Sequence, residues 1–374
     1  MSFSADDHRF MARAIELAAK GRFTTSPNPN VGAVLVHDGV VVGEGYHHQA
    51  GGPHAEVVAL QQAAELARGA DCYVTLEPCS HYGRTPPCAE ALIKAGVRRV
   101  VMAMQDPNPQ VAGRGVALLQ AAGIQVQSGL MASSARALNA GFLSRMEQQR
   151  PFVRLKLAAS LDGKTALRNG ASQWITSKEA RADVQWQRAQ SCAVLSTAET
   201  VLRDGARLTL RPEQASAAIT PLQDGSYRQP LRIVLDRQQR LTGNEPLFQQ
   251  AGPIVLVYPA GSAALALAGA RTLLVPCSED GYFELAALML ALAQDGINSI
   301  WVEAGARLAG SLMRAQLVDE FWLYQAPKLL GDQARGLVDG PEFTDLTQAY
   351  ALQWQDIRQL GPDVRFIATV QGRG

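Results

Sequence analysis

The chain of 374 residues carries 35 basic and 34 acidic residues, so its net charge is close to zero. This balance lacks the basic excess that binds a nucleic-acid backbone or an anionic membrane, and it favours a small-molecule substrate. The length indicates two domains. Five cysteines without disulfide-like spacing, an N-terminus without a signal pattern and the absence of an apolar run of about eighteen residues together predict a cytoplasmic protein.

The first elements predicted from the sequence are a helix, a loop and a hairpin. Apolar residues recur at helical spacing over residues 6–20. The prolines and asparagines of residues 24–30 then require a loop. Strands over residues 31–36 and 40–42 flank an Asp-Gly pair that is typical of a hairpin. Within the loop, Asn28 can form an Asx turn, or its amide can pair with the edge of a pyrimidine, and both interpretations stay open.

Three candidate metal ligands and one acid come next: His54, Cys79, Cys88 and Glu56. One imidazole and two thiolates are three of the four ligands of a tetrahedral Zn²⁺, and a fourth position left to water is typical of a catalytic site. Glu56 can reach that water without binding the metal, and it can pass the proton to a leaving amine. We therefore predict a catalytic zinc site with Glu56 as the proton shuttle.

The order of these residues matches the His-x-Glu, Pro-Cys, Cys signature of zinc-dependent nucleobase deaminases, which usually ends in Cys-x-x-Cys. Here eight residues separate Cys79 from Cys88. The alternative is that the motif consists of ordinary core residues or of a structural Cys₃His site. Cys72 would supply the further ligand in that case, but the alternation over residues 72–76 favours a buried, apolar role for it.

Strands and helices alternate through the rest of the first half, which predicts an α/β sandwich around one sheet. Helices are expected at residues 54–67, 88–95 and 115–122, with strands at residues 99–104 and 124–127. One helix over residues 131–149 closes this domain, and Pro151 breaks it. We place the boundary near residue 148, which gives domains of residues 1–148 and 149–374.

The second half also has an α/β pattern. Strands are predicted at residues 152–157, 193–196, 231–235, 254–258, 299–302, 321–324 and 364–370, with helices at residues 178–190 and 283–293. The sequence has no Gly-x-Gly-x-x-Gly dinucleotide fingerprint. Gly305 and Gly310 follow a strand without the Lys-Ser/Thr of a P-loop. A strand that runs into glycine at a helix start can still hold a phosphate, although glycine there usually serves backbone geometry.

Several segments carry a resemblance to a known family. They are residues 24–32, His54-Ala55-Glu56, and residues 75–88, 156–164, 172–176 and 302–305. Together they resemble the bifunctional deaminase-reductase family of riboflavin biosynthesis over nearly the whole chain. The resemblance implies a cytidine-deaminase-like α/β/α sandwich followed by a dihydrofolate-reductase-like α/β domain.

The resemblance also implies two consecutive reactions. With one Zn²⁺, the first domain would hydrolyse the 2-amino group of a diaminopyrimidinone that carries a phosphoribosylamino group. With NADPH, the second would reduce the ribosyl side chain of the product to ribityl. We further expect a homo-oligomer, a dimer or larger.

Residue roles in the second domain follow from the same resemblance. NADPH would contact Ala158, Trp174, Thr200, Asp204, Gly305, Ala306, Arg307, Leu308, Ala309, Gly310 and Ser311. The substrate of the reductase would contact Ser172, Arg188, Leu208, Arg211 and Glu303. In the first domain, the amide chemistry noted above makes Asn28 our candidate contact for the substrate of the deaminase. Lys156 would be a catalytic group near the reacting carbon.

Ordinary structural interpretations stand beside these roles. Trp174 would be a core aromatic residue, Arg188 and Arg211 solvated charges, and Lys156 a charge that protects a strand edge. Two arginines nevertheless suit a sugar phosphate, because the guanidinium fork matches phosphate oxygens. Two other functions stay open: a nucleic-acid deaminase, which would favour a short Cys-x-x-Cys and a basic face, and a non-catalytic descendant that binds a nucleotide.

Overall fold

The computed structural model of the protein describes residues 3–82, 86–109 and 111–370. The chain divides into two compact units. Unit 1 comprises Met1–Gln149 together with Thr220–Arg228, and unit 2 comprises Arg150–Ile219 and Gln229–Gly374. Across the described ranges, no helix combines the length and the apolar character needed to cross a membrane.

Unit 1 is built around one five-stranded sheet. Its strands are β1 (Gly32–His37), β2 (Val40–Tyr46), β3 (Asp71–Val74), β4 (Arg99–Met102) and β5 (Gln125–Ser128). Its helices are α1 (Ala5–Ala19), α2 (Ala55–Ala63), α3 (Cys88–Ala95), α4 (Arg114–Ala121), α5 (Ala132–Leu138) and α6 (Ala140–Gln148). The order is β2-β1-β3-β4-β5; β1 is antiparallel to both of its neighbours, and β3, β4 and β5 are parallel.

Helices cover both faces of this sheet, as the sequence predicted. Val34 and Val36 of β1 belong to the core that includes residues of α1, α5 and α6, whereas Ala33 and Leu35 belong to the core that includes α2, α3 and α4. Successive side chains of a strand point to opposite faces, which explains the separation. The α/β sandwich is therefore confirmed for unit 1.

Helix α2 lies directly on strand β2 because two glycines leave room for it. A Cβ atom at Gly43 would lie 2.2 Å from the carbonyl oxygen of Ala59, and one at Gly45 would lie 2.3 Å from that of Ala55. Any side chain at either position would push the helix away. The N-terminal end of α2, where Glu56 lies, is thereby fixed against the sheet.

The prediction of one helix over residues 131–149 is wrong in detail, because the segment forms the two helices α5 and α6. The break falls at Asn139, whose side chain accepts a hydrogen bond from the backbone N–H of Asn30 at 2.7 Å and donates to its carbonyl oxygen at 2.9 Å. The Asn139 side chain thus forms with the backbone of Asn30 the two hydrogen bonds that a neighbouring strand would otherwise form. The break therefore anchors the loop of residues 24–30.

Unit 2 contains a nine-stranded sheet and a two-stranded one. Its strands are β6 (Phe152–Ser160), β7 (Lys164–Ala166), β8 (Ala193–Thr197), β9 (Leu231–Leu235), β10 (Ile254–Pro259), β11 (Ala270–Val275), β12 (Ser299–Glu303), β13 (Glu320–Ala326), β14 (Arg335–Gly336), β15 (Leu352–Leu360) and β16 (Asp363–Val370). Its helices are α7 (Lys178–Gln190), α8 (Ala198–Asp204), α9 (Leu285–Gln294) and α10 (Ala306–Arg314).

The large sheet has the order β11-β10-β9-β8-β12-β6-β13-β16-β15. The first seven strands of this spatial order, from β11 through β6 to β13, are parallel to their neighbours. Strand β16 is antiparallel to both β13 and β15. The seven strands predicted for this half are all present, and β7, β11, β14 and β15 were missed. Strand β15 is largely exposed, so it lacks the apolar alternation that predicts a strand.

Candidate active sites

The side chains of His54, Cys79 and Cys88 converge in unit 1. Nδ1 of His54 lies 3.5 Å from Sγ of Cys79 and 3.3 Å from Sγ of Cys88, and all three candidate ligand atoms lie within 4.8 Å of one another. Within the described ranges, no other group of three or more His, Cys, Asp or Glu side chains reaches this proximity. One nitrogen and two sulfurs fit a zinc ion, and three protein ligands are the number found in catalytic zinc sites.

Two helix N-termini and the end of a strand position these ligands. His54 precedes the first residue of α2, Cys88 is the first residue of α3, and Cys79 follows β3. The partial positive charge at a helix N-terminus favours a thiolate. A hydrogen bond from the Cys88 thiol, and then the imidazole of His54, lower the pKa of the Cys79 thiol despite its burial, and the same hydrogen bond raises the pKa of the Cys88 thiol. The thiolate form that binds zinc is therefore favoured at Cys79.

Glu56 is in the first turn of α2 and is only 3% exposed. Burial raises the pKa of its carboxyl group to about 7, and the nearby Cys79 acts in the same direction. A carboxyl group that titrates near neutral pH can both accept and release a proton during one reaction. Glu56 is therefore suited to proton transfer beside the metal ligands.

Glu56 lines a cavity of about 450 Å³ together with the two ligands His54 and Cys79. Cys88 is not among the residues that line it. This volume lies within the range of small-molecule sites. Asn28 also lines the cavity, as the interpretation of its loop as a base clamp requires. Residues 83–85 of the loop between Cys79 and Cys88 lie outside the described ranges.

The orientation of Asn28 is set by a buried histidine. Nδ1 of His47 lies 3.0 Å from the carbonyl oxygen of Pro53, and its Nε2 lies 3.0 Å from the amide nitrogen of Asn28. Because a carbonyl can only accept, Nδ1 carries the hydrogen and Nε2 accepts from Asn28. The amide oxygen of Asn28 is thus the atom left to accept from a ligand N–H.

Further lining residues were missed by the sequence analysis, notably Asp106, Asn108 and Arg145. Burial raises the pKa of Asp106 to about 6, and its carboxylate accepts a hydrogen bond from the backbone N–H of Asn108. These two residues belong to an Asp-Pro-Asn-Pro segment that reads as an ordinary turn. Arg145 lies on α6 between the lining residues Phe142 and Met146, a helical spacing that marks one face.

Cys72, the alternative fourth ligand, lies buried on β3 in the core of unit 1. Burial raises the pKa of its thiol well above the usual value. It is not part of the converging group formed by His54, Cys79 and Cys88. The predicted apolar role of Cys72 is therefore confirmed.

In unit 2, Lys156 and Glu303 lie opposite each other on the adjacent parallel strands β6 and β12. Strand β6 lies between β12 and β13, inside the nine-stranded sheet, so Lys156 does not protect a strand edge. Burial lowers the pKa of Lys156, and the charge of Glu303 opposes this effect. The pair forms a partly buried polar centre in the sheet.

Arg188 completes this centre from α7. Its Nε and Nη2 donate to the two carboxylate oxygens of Glu303 at 2.6 and 2.8 Å, and its Nη1 donates to the carbonyl oxygen of Thr209 at 2.8 Å. Trp301 also donates from its indole nitrogen to Glu303 at 3.0 Å. Burial alone would raise the pKa of Glu303, but Arg188 lowers it to about 2. Arg188 is therefore a buried, paired residue and not a solvated charge.

Trp174 is 63% exposed, which rules out the core role considered for it. The guanidinium carbon of Arg181 lies 4.5 Å from the centre of its ring. The preceding residue, Gln173, donates from its side chain to the carbonyl oxygen of Asp204 at 3.3 Å. The segment of Ser172 to Trp174 therefore lies beside the end of α8, which brings the predicted contacts Ser172, Trp174 and Asp204 together.

The remaining predicted residues are spread over several elements. Ala158 is on β6, Thr200 on α8, and Leu208 is buried with a positive φ of 56°. Arg211 is exposed and lies within electrostatic reach of Arg188 and Glu303. Gly305 caps the N-terminus of α10, and residues from Ala306 to Ser311 form its first part. The predicted strand that runs into glycine at a helix start is confirmed.

Two family models match the chain. The model of the RibD C-terminal domain matches residues 151–366. The model of the cytidine and deoxycytidylate deaminase zinc-binding region matches residues 4–104. The two matches fall on the half with the Lys156–Glu303 centre and on the half with the converging metal ligands.

Characterised relatives cover both halves together. The riboflavin biosynthesis protein RibD of Escherichia coli is 54% identical over 361 residues, which cover 96% of this chain and 98% of the relative. The protein of the same name from Haemophilus influenzae is 50% identical over 373 residues, with complete coverage of both chains.

Solved structures of similar proteins also cover both halves of the chain. RibD of Acinetobacter baumannii superposes with a TM-score of 0.89 at 42% identity, covering 98% of this chain and 99% of that one. A diaminohydroxyphosphoribosylaminopyrimidine deaminase/5-amino-6-(5-phosphoribosylamino)uracil reductase from Thermotoga maritima superposes with a TM-score of 0.85 at 32% identity, again over 98% and 99% of the two chains.

Proposed function

The chain belongs to the RibD family of riboflavin biosynthesis proteins, and from this premise we propose that its two units catalyse consecutive steps on one phosphorylated pyrimidine. Unit 1 deaminates the diaminopyrimidinone that carries a phosphoribosylamino group. Unit 2 then reduces the ribosyl chain of the product with NADPH to give 5-amino-6-(5-phosphoribitylamino)uracil. One observation carries the deaminase half of the proposal: three zinc-type ligands converge, and two of them, His54 and Cys79, line one cavity together with the buried acid Glu56.

In the deaminase, His54, Cys79 and Cys88 hold one zinc ion. When bound, the metal supplies the Lewis acidity that makes water nucleophilic near neutral pH. Glu56 would accept a proton from the attacking water and deliver it to the leaving amine, because its buried carboxyl group lies in the first turn of α2 beside His54. Asn28, held by His47, accepts a hydrogen bond from an N–H on the edge of the pyrimidine.

The substrate also carries a phosphate, which needs a cationic partner. Among the described residues that line the cavity, Arg145 is the one lysine or arginine. A guanidinium group matches phosphate oxygens in both charge and geometry. We therefore assign Arg145 to the phosphate of the deaminase substrate.

In the reductase, Lys156 and Glu303 are proposed to face the reacting part of the substrate. NADPH supplies the hydride when it is bound. Lys156, which is partly buried and paired in register with Glu303, would act as the proton donor near the reacting carbon. Arg188 orients Glu303 through its two hydrogen bonds, and Arg211, which is exposed, takes the phosphate of the reductase substrate.

The cofactor and substrate contacts in unit 2 remain part of the proposal. NADPH would be held by Ala158, Trp174, Thr200, Asp204 and the start of α10 from Gly305 to Ser311, while Ser172 and Leu208 would contact the substrate. The open backbone N–H groups at the start of α10 suit a phosphate of the cofactor. Domain limits of residues 1–148 and 149–374 are proposed for the two activities.

We also propose a homo-oligomer in the cytoplasm. Strand β15 forms one border of the large sheet and exposes the apolar side chains of Trp354 and Ile357, a surface suited to a second copy. Five unlinked cysteines, two of which are assigned to zinc, suit a reducing compartment.

One experiment tests the whole proposal. The purified protein is incubated with the diamino substrate and NADPH, and the release of ammonia and the oxidation of NADPH are followed together. We expect both to occur, with ammonia first. NADPH oxidation without ammonia would show that reduction precedes deamination, and the absence of both would contradict the assigned substrate.

A further inference from the structure

Glu77 is a buried acid that the deaminase mechanism does not use. Its side chain is 3% exposed, and its two carboxylate oxygens accept four hydrogen bonds from backbone N–H groups. Oε2 accepts from Asp106 at 3.3 Å and Gly113 at 3.0 Å; Oε1 accepts from Gly115 at 3.0 Å and Val116 at 3.3 Å. Gly115 and Val116 are in the first turn of α4, so a helix N-terminus stabilises this buried charge.

The segment before Cys79 is packed against the same helix end. A Cβ atom at Gly115 would lie 2.1 Å from the carbonyl oxygen of Pro78, so α4 begins in direct contact with the residue that precedes the ligand. The backbone N–H of Glu77 also donates to the carbonyl oxygen of Met104 at 3.0 Å. Glu77 thus joins the ligand-bearing segment to the chain on both sides of the loop that follows β4.

That loop forms one wall of the cavity. Asp106, Asn108 and Val111 line it together with Cys79. Asp106 is held to Glu77 through its backbone N–H, and Asn108 is held in turn to the carboxylate of Asp106 at 2.8 Å. A shift of this wall relative to the metal ligands would therefore follow from the loss of the Glu77 carboxylate.

We propose that Glu77 is a positioning residue for the deamination, which fixes the wall of Asp106, Asn108 and Val111 at a set distance from Cys79. The inference rests on the proposed deaminase function. Because none of the zinc ligands contacts the Glu77 side chain among the described hydrogen bonds, the residue affects how the pyrimidine is held and leaves the metal in place. A wall that shifts weakens its contacts with the bound pyrimidine, and this loss of binding appears as a higher KM.

The test is Glu77→Gln, which keeps the shape of the side chain and replaces one accepting oxygen with an NH₂ group. Two of the four backbone N–H groups then face a donor. We expect the KM of deamination to rise about 10-fold at unchanged kcat, since one lost or lengthened contact to the pyrimidine weakens binding by about this factor. The zinc content should stay at one per chain, and NADPH oxidation with the already deaminated compound should not change. Glu65→Gln, the same change at an exposed position, should leave all three quantities unaltered.

Several outcomes would overturn the proposal. Loss of zinc in Glu77→Gln would mean that the residue supports the metal site, and a fall in kcat at constant KM would indicate a smaller fraction of folded enzyme. If Glu77→Gln does not fold, Gly115→Ala tests the same contact from the other side, because its Cβ must displace α4 from Pro78. An unchanged KM in Gly115→Ala would also overturn it.

Backbone hydrogen exchange separates this proposal from the proposed function. Glu77→Gln should speed exchange at residues 106 and 113–116 and leave α2 unchanged, whether or not the correct substrate has been chosen. If the parent protein releases no ammonia, the proposed function fails. Unaltered exchange at residues 106 and 113–116 would defeat the positioning role.

Discussion

The guanidinium group of Arg188 holds both carboxylate oxygens of Glu303, at 2.6 and 2.8 Å, inside unit 2. A third nitrogen of the same group is bound to the carbonyl oxygen of Thr209. Arg188 is therefore committed to protein partners, and under the proposed function it would act on the reductase substrate through Glu303.

Replacing Arg188 by alanine should destabilise unit 2, because Glu303 would lose both hydrogen bonds to the guanidinium group and would keep Trp301 and the charge of Lys156 as partners. The expected loss is about 3 kcal/mol, the lower end for a broken buried pair, measured by denaturant unfolding. Arg211→Ala is the matched control, since this arginine is exposed. It should leave stability unchanged and raise the KM of the reduction, with a loss of about 2–3 kcal/mol in binding. Equal stability of Arg188→Ala and the parent would contradict this division of roles.

The Arg188–Glu303 pair also predicts a dependence of stability on pH. The pKa of Glu303 is about 2 in the folded protein, against an ordinary value of 4.5. A lowered folded pKa means that the ionised carboxylate stabilises unit 2 fully above pH 4.5, and that this contribution is lost as the pH falls toward 2. The difference in unfolding free energy between the parent and Glu303→Gln should therefore shrink on acidification. A difference that stays constant would assign the effect to other groups.

The zinc ligands are tested by replacing each thiol separately. Cys79→Ser and Cys88→Ser should bind well below one zinc per chain and release no ammonia, because each thiolate supplies both charge and geometry. Cys72→Ser should keep its zinc, since Cys72 is buried on β3 outside the ligand group. Metal analysis of the three purified variants decides the matter, and full occupancy in the first two would refute the ligand assignment.

Glu56→Ala separates the two activities. The variant keeps all three ligands and should bind zinc, while deamination should fall by about 100- to 10,000-fold, the usual contribution of a general acid-base residue. With the diamino substrate it should consume almost no NADPH, and with the deaminated compound it should oxidise NADPH at the parent rate. Failure on the deaminated compound would show that the two sites depend on each other.

Arg145→Ala tests the phosphate contact in the deaminase. If Arg145 binds the phosphate, the KM of deamination should rise by the equivalent of about 2–3 kcal/mol, the value of a charge-assisted contact. A dephosphorylated analogue should be affected little, because it lacks the group that Arg145 recognises. Arg136→Ala is the control, since Arg136 pairs with Glu147 at the surface. Equal sensitivity of the two substrates would place the phosphate elsewhere.

The zinc site was accessible to sequence analysis because its chemistry restricts both residue type and order. Few arrangements other than a metal site explain His54, Glu56, Cys79 and Cys88 in that order, and the structure brings the three ligands together. Asp106 and Arg145 gave no such signal. A turn and a helix face look the same whether or not they border a cavity, so their place in the site depends on how α4 and α6 pack.

Unit 2 shows the same limit at the level of strands. The local sequence pattern predicted β6 and β12, but it did not reveal that β6 lies inside the sheet. Lys156 is therefore an interior residue of the sheet and not a charge at its edge. The place of a strand in a sheet is determined by its pairing with strands that are distant in the sequence. In the same way, the pairing of Arg188 with Glu303 joins residues far apart in sequence, and periodicity within one helix does not predict it.

The grouping of Thr220–Arg228 with unit 1 bears on how this chain can be divided. Arg228 donates to the carbonyl oxygen of Phe23 at 3.0 Å, and the backbone of Gln223 reaches the side chain of Gln49, next to the cavity-lining Ala50. A gene split after Gln149 would retain every zinc ligand and still encode an incomplete first unit. The two halves are therefore not interchangeable modules joined at one point, and recombination between relatives would have to exchange a loop of the reductase half together with the deaminase.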